Sequence, residues 1–578
     1  MKKLMLGNEA AARGLYEAGC RFVSSYPGTP STEITEEACK YDEIYTEWAP
    51  NEKVAMEAAF GASLAGARSA VCMKHVGLNV AADPLFTISY TGVNAGMVVF
   101  VADDPGMHSS QNEQDSRHHA VAAKIPMLEP SDSAEAKEFT KAAYEISERF
   151  DTAVIVRMCT RIAHAQCAVE MEPRAEEEIR PYVKNPEKYI MAPANAIKRH
   201  PIVESRTEAI REYAETSCLN RIEYAGDRSL GIITSGTCYE YVKEVFGDTV
   251  SVLKLGIVNP LPEALIRRFA SEVKRLVVIE ELDPVIEREV RAMGIDAEGK
   301  NLFPIVGEFS QATIRRAFGL PEPVHPEPVA LPGRPPIMCA GCPHRGLFYV
   351  LMKNKYTVIG DIGCYTLGSA PPLNAVDMVL CMGASVSGVH GFNKIRGEEA
   401  SKTVAVIGDS TFMHSGMTGL ADIAYNGSPS TVIIADNSIT GMTGHQNNPT
   451  NGKNIKGDPA TKIDLEALVK ALGIEHVRVV DPYDLKETER VIREETSFEG
   501  SSVIIARRAC ALIKDVKHPG PIAIDTDKCR NCKACMRIGC PAISLMDGRP
   551  FIDGKTCVGC GVCSGLCAFG AIPGGEAK

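Results

Sequence analysis

At 578 residues the chain is too long for one core and implies three to five domains. Apolar residues make up 45% and charged residues 23%, an ordinary globular balance, and a net charge of −11 offers no basic face for nucleic acid. No uninterrupted apolar run is long enough to span a bilayer, and MKKLMLGNEAAARGLYEAG lacks the apolar core and cleavage site of a secretion signal, so the expected location is the cytoplasm.

In chain order, residues 1–170 alternate short apolar runs with helical stretches. AVCMKHVG, GMVVFVA and TAVIVRM read as buried parallel strands, and NEKVAMEAAFGASLAGA as an amphipathic helix carrying Glu52 and Glu57. The ordinary reading of a helix glutamate is a solvated face. A polar loop from Ser109 to His119 follows a strand, where ligand loops lie in α/β sheets. Its Arg117 can pair with a substrate carboxylate or lie solvated at the surface, with equal odds. MEPRAEEEIRPYVKNPEKY reads as a connector. A second α/β region over 190–318 has strands in LGIITSG, VSVLKLG and RLVVIEE. PEPVHPEPVALPGRPP, with seven prolines in sixteen residues, is an extended strap. A third α/β domain, 337–512, has strands in YTVIGDIG, KTVAVIGD, STVIIAD and SVIIARR, and a cysteine-rich tail occupies 520–578. The expected fold is α/β, with three doubly wound parallel-sheet domains and a small α+β tail.

Twenty cysteines are present, eight of them between Cys529 and Cys567. In a reducing compartment such clusters bind metal more often than they form disulfides. Cys529, Cys532 and Cys535 are spaced C-x2-C-x2-C before Cys540, and Cys557, Cys560 and Cys563 repeat the spacing before Cys567. That is the pattern of a two-cluster [4Fe–4S] ferredoxin, in which the fourth cysteine of each run ligates the other cluster. Cys529, Cys532, Cys535 and Cys567 then form one set, and Cys557, Cys560, Cys563 and Cys540 the other. Two structural zinc sites are the alternative, though these show two C-x2-C pairs set well apart. Cys20, Cys39, Cys72, Cys159, Cys167, Cys218, Cys238 and Cys381 read as small buried hydrophobes.

In the third domain, VAVIGDSTFMHSG ends a strand on Gly408-Asp409-Ser410 and enters a helix. Asn437 follows Gly408 by twenty-nine residues, at the end of the next strand. The layout suits a diphosphate held by Mg²⁺ beside a helix N-terminus. The side chains of Asp409 and Asn437 and the carbonyl of Ile439 can supply three of six oxygens, and Gly408 lets the backbone approach a phosphate. Without further context an ordinary strand-to-helix turn explains the same residues. Cys339, Cys342, Cys364 and Cys510 flank this region; from spacing alone they suit zinc, a redox pair or no ligand at all.

These motifs resemble those of the large subunits of 2-oxoacid:ferredoxin oxidoreductases of the indolepyruvate type, over essentially the whole chain. The Gly408–Asn437 segment looks like the thiamine-diphosphate signature, and Thr440-Gly441-Met442-Thr443-Gly444-His445-Gln446 is similar to the family loop that follows it. Ser410 stands where the family usually has glycine. Tyr26-Pro27-Gly28-Thr29-Pro30 resembles a family strand-end loop, which implies that Thr29 touches the substrate carboxylate. Glu52 matches the glutamate that bonds the aminopyrimidine of the cofactor, with Glu57 the runner-up. His75, in Lys74-His75-Val76-Gly77, stands where it can face that cofactor. The resemblance implies two thiamine-binding domains, a transketolase-C-like domain between them and the ferredoxin tail. It also implies a third [4Fe–4S] cluster on Cys339, Cys342, Cys364 and Cys510, although Pro343 replaces the usual glycine. The implied activity is oxidative decarboxylation of an aryl 2-oxoacid with coenzyme A as co-substrate and an external ferredoxin as acceptor. A smaller beta subunit, a hetero-oligomer and no membrane or nucleic-acid partner complete the expectation; branched-chain and phenylglyoxylate-type substrates, and a non-catalytic electron-transfer role, remain as alternatives.

Overall fold

The computed structural model describes residues 1–323, 329–333 and 335–574, so part of the proline-rich strap lies outside the described residues. The chain divides into two bodies, Met1–Val329 and Ala330–Lys578. Among the described residues no helix is long and apolar enough to cross a membrane.

The first body is built on a seven-stranded sheet. Its order is Ile257–Asn259, Met127–Leu128, Val154–Cys159, Met97–Asp103, Ser69–Lys74, Phe22–Ser25 and Tyr45–Trp48, parallel throughout except for the first pairing. Both sheet faces are covered, which is why Met97–Asp103 and Val154–Cys159 are buried at every position rather than alternating. A second sheet runs Arg275–Ile279, Leu230–Ser235, Ser251–Leu255, Arg221–Glu223, with the last strand antiparallel. The regions 1–170 and 190–318 share part of their cores, although Ile232, Val252, Ile279 and Phe309 belong to a cluster wholly within the second. Ile257–Asn259 crosses over to become the edge of the first sheet, and Leu253, Leu255 and Ile266 pack in one apolar cluster with Val71 and Val99. Helix Pro193–Thr216 ties the two together: Arg199 donates to Tyr90 O at 2.7 Å, and Arg206 donates to Asp151 O at 2.8 Å.

The second body has a five-stranded, all-parallel sheet ordered Thr357–Ile359, Thr403–Gly408, Thr431–Asp436, Ser502–Arg507, His476–Val480. The tail adds a hairpin, Ile543–Met546 with Arg549–Ile552, over a small core of Ile538, Ile552, Val562 and Ile572. Tyr349, Tyr483 and Leu485 of the larger domain pack against that core. Arg345, itself buried, donates to the carbonyls of Cys339 at 3.1 Å and Ile538 at 3.2 Å and so binds the tail to the domain.

The eight scattered cysteines are not all buried. Cys20, Cys72, Cys159 and Cys238 are; Cys39 and Cys167 are half-buried, and Cys218 and Cys381 are exposed. Cys218 lies in the turn after a long helix and Cys381 in a connection before one, positions that face solvent.

Candidate functional site

Three parallel strands of the first body deliver their loops to one place, the carboxyl edge of the sheet, where α/β proteins bind ligands. Asn51 caps the helix Glu52–Leu64 by accepting from Val54 N at 2.9 Å. This cap fixes the rotation of the helix and turns Glu52 inward, where it is 4% exposed. Glu57 lies on the opposite, exposed side and pairs with Lys53. The carboxyl of Glu52 packs on Gly77, where a β-carbon would stand 2.6 Å from Oε1.

Around it, Lys74 Nζ donates to Ser109 O at 3.0 Å, and Lys74 Cγ lies 3.2 Å from the β-carbon position of Gly28. Burial pulls the Lys74 ammonium below its ordinary range, against the raising charges of Asp104 and Glu52. His75 is buried; Nε2 lies 3.2 Å from Asn112 O, and Nδ1 has no hydrogen-bond partner among the described residues. Burial lowers its pKa too, so the neutral ring is favoured. Thr29 is half-buried, and its carbonyl meets Ser109 Oγ at 3.4 Å. Asp104 anchors the polar loop, accepting from Ser109 N at 2.8 Å, Ser110 Oγ at 2.8 Å and Thr160 Oγ1 at 2.7 Å.

Arg117 departs from both sequence readings. It is 1% exposed and its guanidinium is saturated: Asp115 at 2.6 Å, Glu280 at 2.5 Å, and the carbonyls of Glu281 and Asp283 at 2.9 Å each. It is neither solvated nor open to a substrate carboxylate; it fastens the second sheet region to the first. A buried arginine needs such partners, because an unpaired one costs several kcal/mol (~3–5).

In the second body, the backbone turns at Gly408 from strand into the short helix Asp409–Thr411, a wide π-type turn Phe412–Gly416 and the helix Met417–Asn426. Asp409 is 2% exposed, and its Oδ2 accepts from Asn448 at 3.1 Å and Thr450 at 2.8 Å, both neutral donors. Burial, then the nearby charge of Asp436, pushes its carboxyl up to about 7. A buried acid in that state fits a divalent cation, whose charge would hold it ionised. Asn437 is buried, its Oδ1 accepting from Ile439 N at 3.2 Å and its Nδ2 lying 3.3 Å from His344 Nε2. Thr440 donates to Ser410 Oγ at 2.8 Å, which gives the serine a positioning contact that glycine lacks.

The four separated cysteines meet this region. The β-carbon position of Gly441 is 3.3 Å from Cys364 Sγ, and Cys510 N donates to Asn437 O at 2.9 Å. Burial first, then the neighbouring Cys510 and Cys339, raises the Cys364 thiol to about 11. Burial, with Cys364 and Cys339 adding, raises Cys342 to about 12. A bound metal would hold such crowded thiols as thiolates, and four cysteines fit an iron–sulfur group.

In the tail, one pocket is lined by Cys529, Cys532, Cys535 and Cys567. Another is lined by Cys540, Cys557, Cys560 and Cys563. The cavities therefore divide the thiols crosswise, each run's fourth cysteine facing the other run's first three. Among the described residues no three His, Cys, Asp or Glu side chains close on a single-ion site. Motif reading missed Asn448, Thr450 and His344; the polar run Asn447-Asn448-Pro449-Thr450 is the one signal that marked the first two.

Residues 13–221 match the family model described as pyruvate flavodoxin/ferredoxin oxidoreductase, thiamine diphosphate-binding. Residues 361–506 match the thiamine pyrophosphate enzyme, C-terminal TPP binding domain. The chain is 42% identical to an indolepyruvate oxidoreductase subunit IorA of Pyrococcus horikoshii, over 99% of this chain and 96% of that protein. It is 40% identical to the IorA subunit of Archaeoglobus fulgidus, over 99% and 97%. A 2-oxoglutarate synthase subunit KorA of Archaeoglobus fulgidus is 25% identical over 52% of this chain and 96% of its own length. With two thiamine-binding regions and full-length likeness at this level, the chain belongs to the IorA family of indolepyruvate oxidoreductase subunits, thiamine-dependent oxidoreductases of the 2-oxoacid:ferredoxin class.

Proposed function

We propose that this chain is the catalytic subunit for oxidative decarboxylation of an aryl 2-oxoacid, of the indolepyruvate or phenylpyruvate class, to acyl-CoA and CO₂. The full-length likeness to IorA subunits supports the substrate class. One observation supports the electron-transfer part: Cys364 and Cys510 adjoin the loop that bears Asn437 and Gly441, which favours a thiolate-held cluster beside a cofactor on that loop.

When bound, thiamine diphosphate supplies the nucleophilic carbon and electron sink for decarboxylation, and iron–sulfur clusters supply one-electron steps. Asp409, Asn437 and the carbonyl of Ile439 would hold Mg²⁺, and with it the diphosphate. Thr450 and Asn448 orient the Asp409 carboxylate, and His344 contacts the Asn437 amide nitrogen, which leaves the amide oxygen as the atom that would meet a metal. Glu52, buried away from bulk water, would hold at its carboxyl the proton that activates a bound aminopyrimidine. His75 offers a neutral ring nitrogen without a partner, and Thr29 orients the substrate carboxylate. Cys339, Cys342, Cys364 and Cys510 would hold one cluster beside this loop, and the tail thiols would hold two more. A smaller beta subunit completes the enzyme, coenzyme A takes the acyl group and an external ferredoxin takes the electrons.

The test is anaerobic purification with the small partner, metal and thiamine analysis, and a 2-oxoacid screen with viologen as acceptor. Thiamine with about twelve irons per chain and fast reduction on aryl 2-oxoacids is expected. About eight irons removes the Cys339–Cys510 set, and no thiamine with no reduction overturns the reading.

A further inference from the structure

We infer that Lys74 binds the carboxylate of the substrate, beside Thr29, and so supplies the positive charge that Arg117 does not. The inference rests on the 2-oxoacid reading and adds a substrate-binding residue to it.

A 2-oxoacid brings a negative charge to the carboxyl edge of the first sheet, and a carboxylate held away from water needs a cation beside it. The arginines at that edge are committed elsewhere. Arg117 is saturated by Asp115, Glu280 and two carbonyls. Arg157 donates to Asp103 at 2.6 Å and to Glu129 at 2.5 Å. Arg161 donates to Glu308 at 2.7 Å. The nearby histidines are paired too, His118 with Asp283 at 2.7 Å and His164 with Glu33 at 3.6 Å.

Lys74 differs. It is the last residue of the strand Ser69–Lys74 and is half-buried. Its Nζ donates to Ser109 O at 3.0 Å, and among the described residues it makes no ion pair. The two acids whose charge reaches it are engaged with other groups. Asp104 accepts from Ser109 N, Ser110 Oγ and Thr160 Oγ1, and the carboxyl of Glu52 packs on Gly77. Burial outweighs both and pulls the ammonium below its ordinary range. An ammonium has three donors, so the bond to Ser109 leaves two for the two oxygens of a carboxylate.

The chain makes room for this side chain. Lys74 Cγ and Cδ lie 3.2 and 3.5 Å from the β-carbon position of Gly28, so any side chain there would crowd the stem. The stem therefore runs along the loop 26–30, next to Thr29. Ser109 joins the two, its carbonyl accepting from Lys74 and its hydroxyl donating to Thr29 O at 3.4 Å. Until a carboxylate arrives the cation is uncompensated, an arrangement that loses stability and gains affinity for anions.

The experiment uses the complete enzyme with Lys74→Met, which keeps the stem and removes the charge, and Lys74→Arg, which keeps the charge. KM for phenylpyruvate should rise ~10–100-fold in Lys74→Met with kcat within ~threefold, the pattern of a charged hydrogen bond made equally in the ground and transition states. Lys74→Arg should recover most of that loss. Phenyllactate, a carboxylate without the ketone, gives a readout independent of turnover, and calorimetry should show its Kd rising by the same factor in Lys74→Met. Phenylacetaldehyde, the same aryl chain without the carboxylate, should inhibit both enzymes equally. Without ligand, Lys74→Met should melt at or above the unaltered enzyme, because an unpaired buried charge has gone; a structural lysine would lower the melting temperature instead. An unchanged KM and Kd, or a lowered melting temperature with equal losses for phenyllactate and phenylacetaldehyde, overturns the assignment. An unaltered enzyme that oxidises a branched-chain 2-oxoacid and no aryl one would sink the aryl reading, and the same comparison with that substrate and its 2-hydroxy analogue would still decide the role of Lys74.

Discussion

Gly77→Ala tests the role of Glu52 without touching the glutamate. Gly77 is the third residue of the helix His75–Val80, and an added methyl would lie 2.6 Å from Glu52 Oε1 and 2.7 Å from its Cγ. Ordinary contact begins at 3.4 Å, so the carboxyl must retreat by about 0.8 Å. Overpacking costs ~1–3 kcal/mol, offset by up to ~1 kcal/mol because alanine favours a helix over glycine. The net loss is ~0–2 kcal/mol, a melting shift of a few degrees. Activity is far more sensitive, since misplacing a reacting group by about 1 Å costs ~10²-fold. Turnover at saturating 2-oxoacid and ferredoxin should therefore fall ~30–100-fold, with thiamine retention and melting close to those of the unaltered enzyme. A folded variant whose turnover stays within ~threefold would refute the reasoning and move the acid away from Glu52.

Glu52→Gln should keep thiamine and lose most turnover, whereas Glu57→Gln, altering an exposed side chain paired with Lys53, should change neither; the reverse pattern exchanges their roles. Asp409→Ala should abolish thiamine retention while leaving the visible absorption of the tail thiol sets, and normal retention would remove the metal assignment. Arg117→Gln should cost ~3–5 kcal/mol of stability and lower the melting temperature with it, because Asp115 and Glu280 lose their buried partner. A raised KM for the 2-oxoacid without loss of stability would restore the substrate role. Glu135 supplies a pH test. Burial opposes its charge, but Lys254, Arg221 and Ser131 outweigh burial and hold its carboxyl down at about 2, below the usual 4.5. Its stabilisation, ~3 kcal/mol, is complete above about pH 4.5 and drains away as pH falls toward 2. The melting advantage over Glu135→Gln should accordingly shrink between pH 5 and pH 3 (both ~), and a pH-independent gap would contradict the pairing.

The extent to which the site was legible in the sequence follows from distance along the chain. Within Cys529–Cys535 the thiol spacing is a local matter, since two intervening residues in a tight loop bring sulfurs to one side whatever the rest of the protein does. Strands such as Met97–Asp103 and Thr431–Asp436 were equally visible, because parallel sheets covered on both faces demand unbroken apolar runs. The Gly408–Asn437 pair was legible because consecutive parallel strands end at the same edge of their sheet.

By itself the sequence determined the α/β class, the strand runs, the thiol spacing and the residue types available for a metal and a diphosphate, all of which depend on near neighbours. Tertiary structure alone decided the rest. Glu52 and Glu57 are five residues apart, about 140° around a helix, so which one is buried depends on what packs against that helix. Arg117 finds Glu280 and the carbonyl of Asp283 163 and 166 residues away, and Asp409 finds Asn448 and Thr450 39 and 41 residues on. Ile257–Asn259 joins a sheet whose other strands all precede residue 160. Such pairings are set by loop paths and the requirement that buried polar groups be satisfied, and neither leaves a local pattern in the chain.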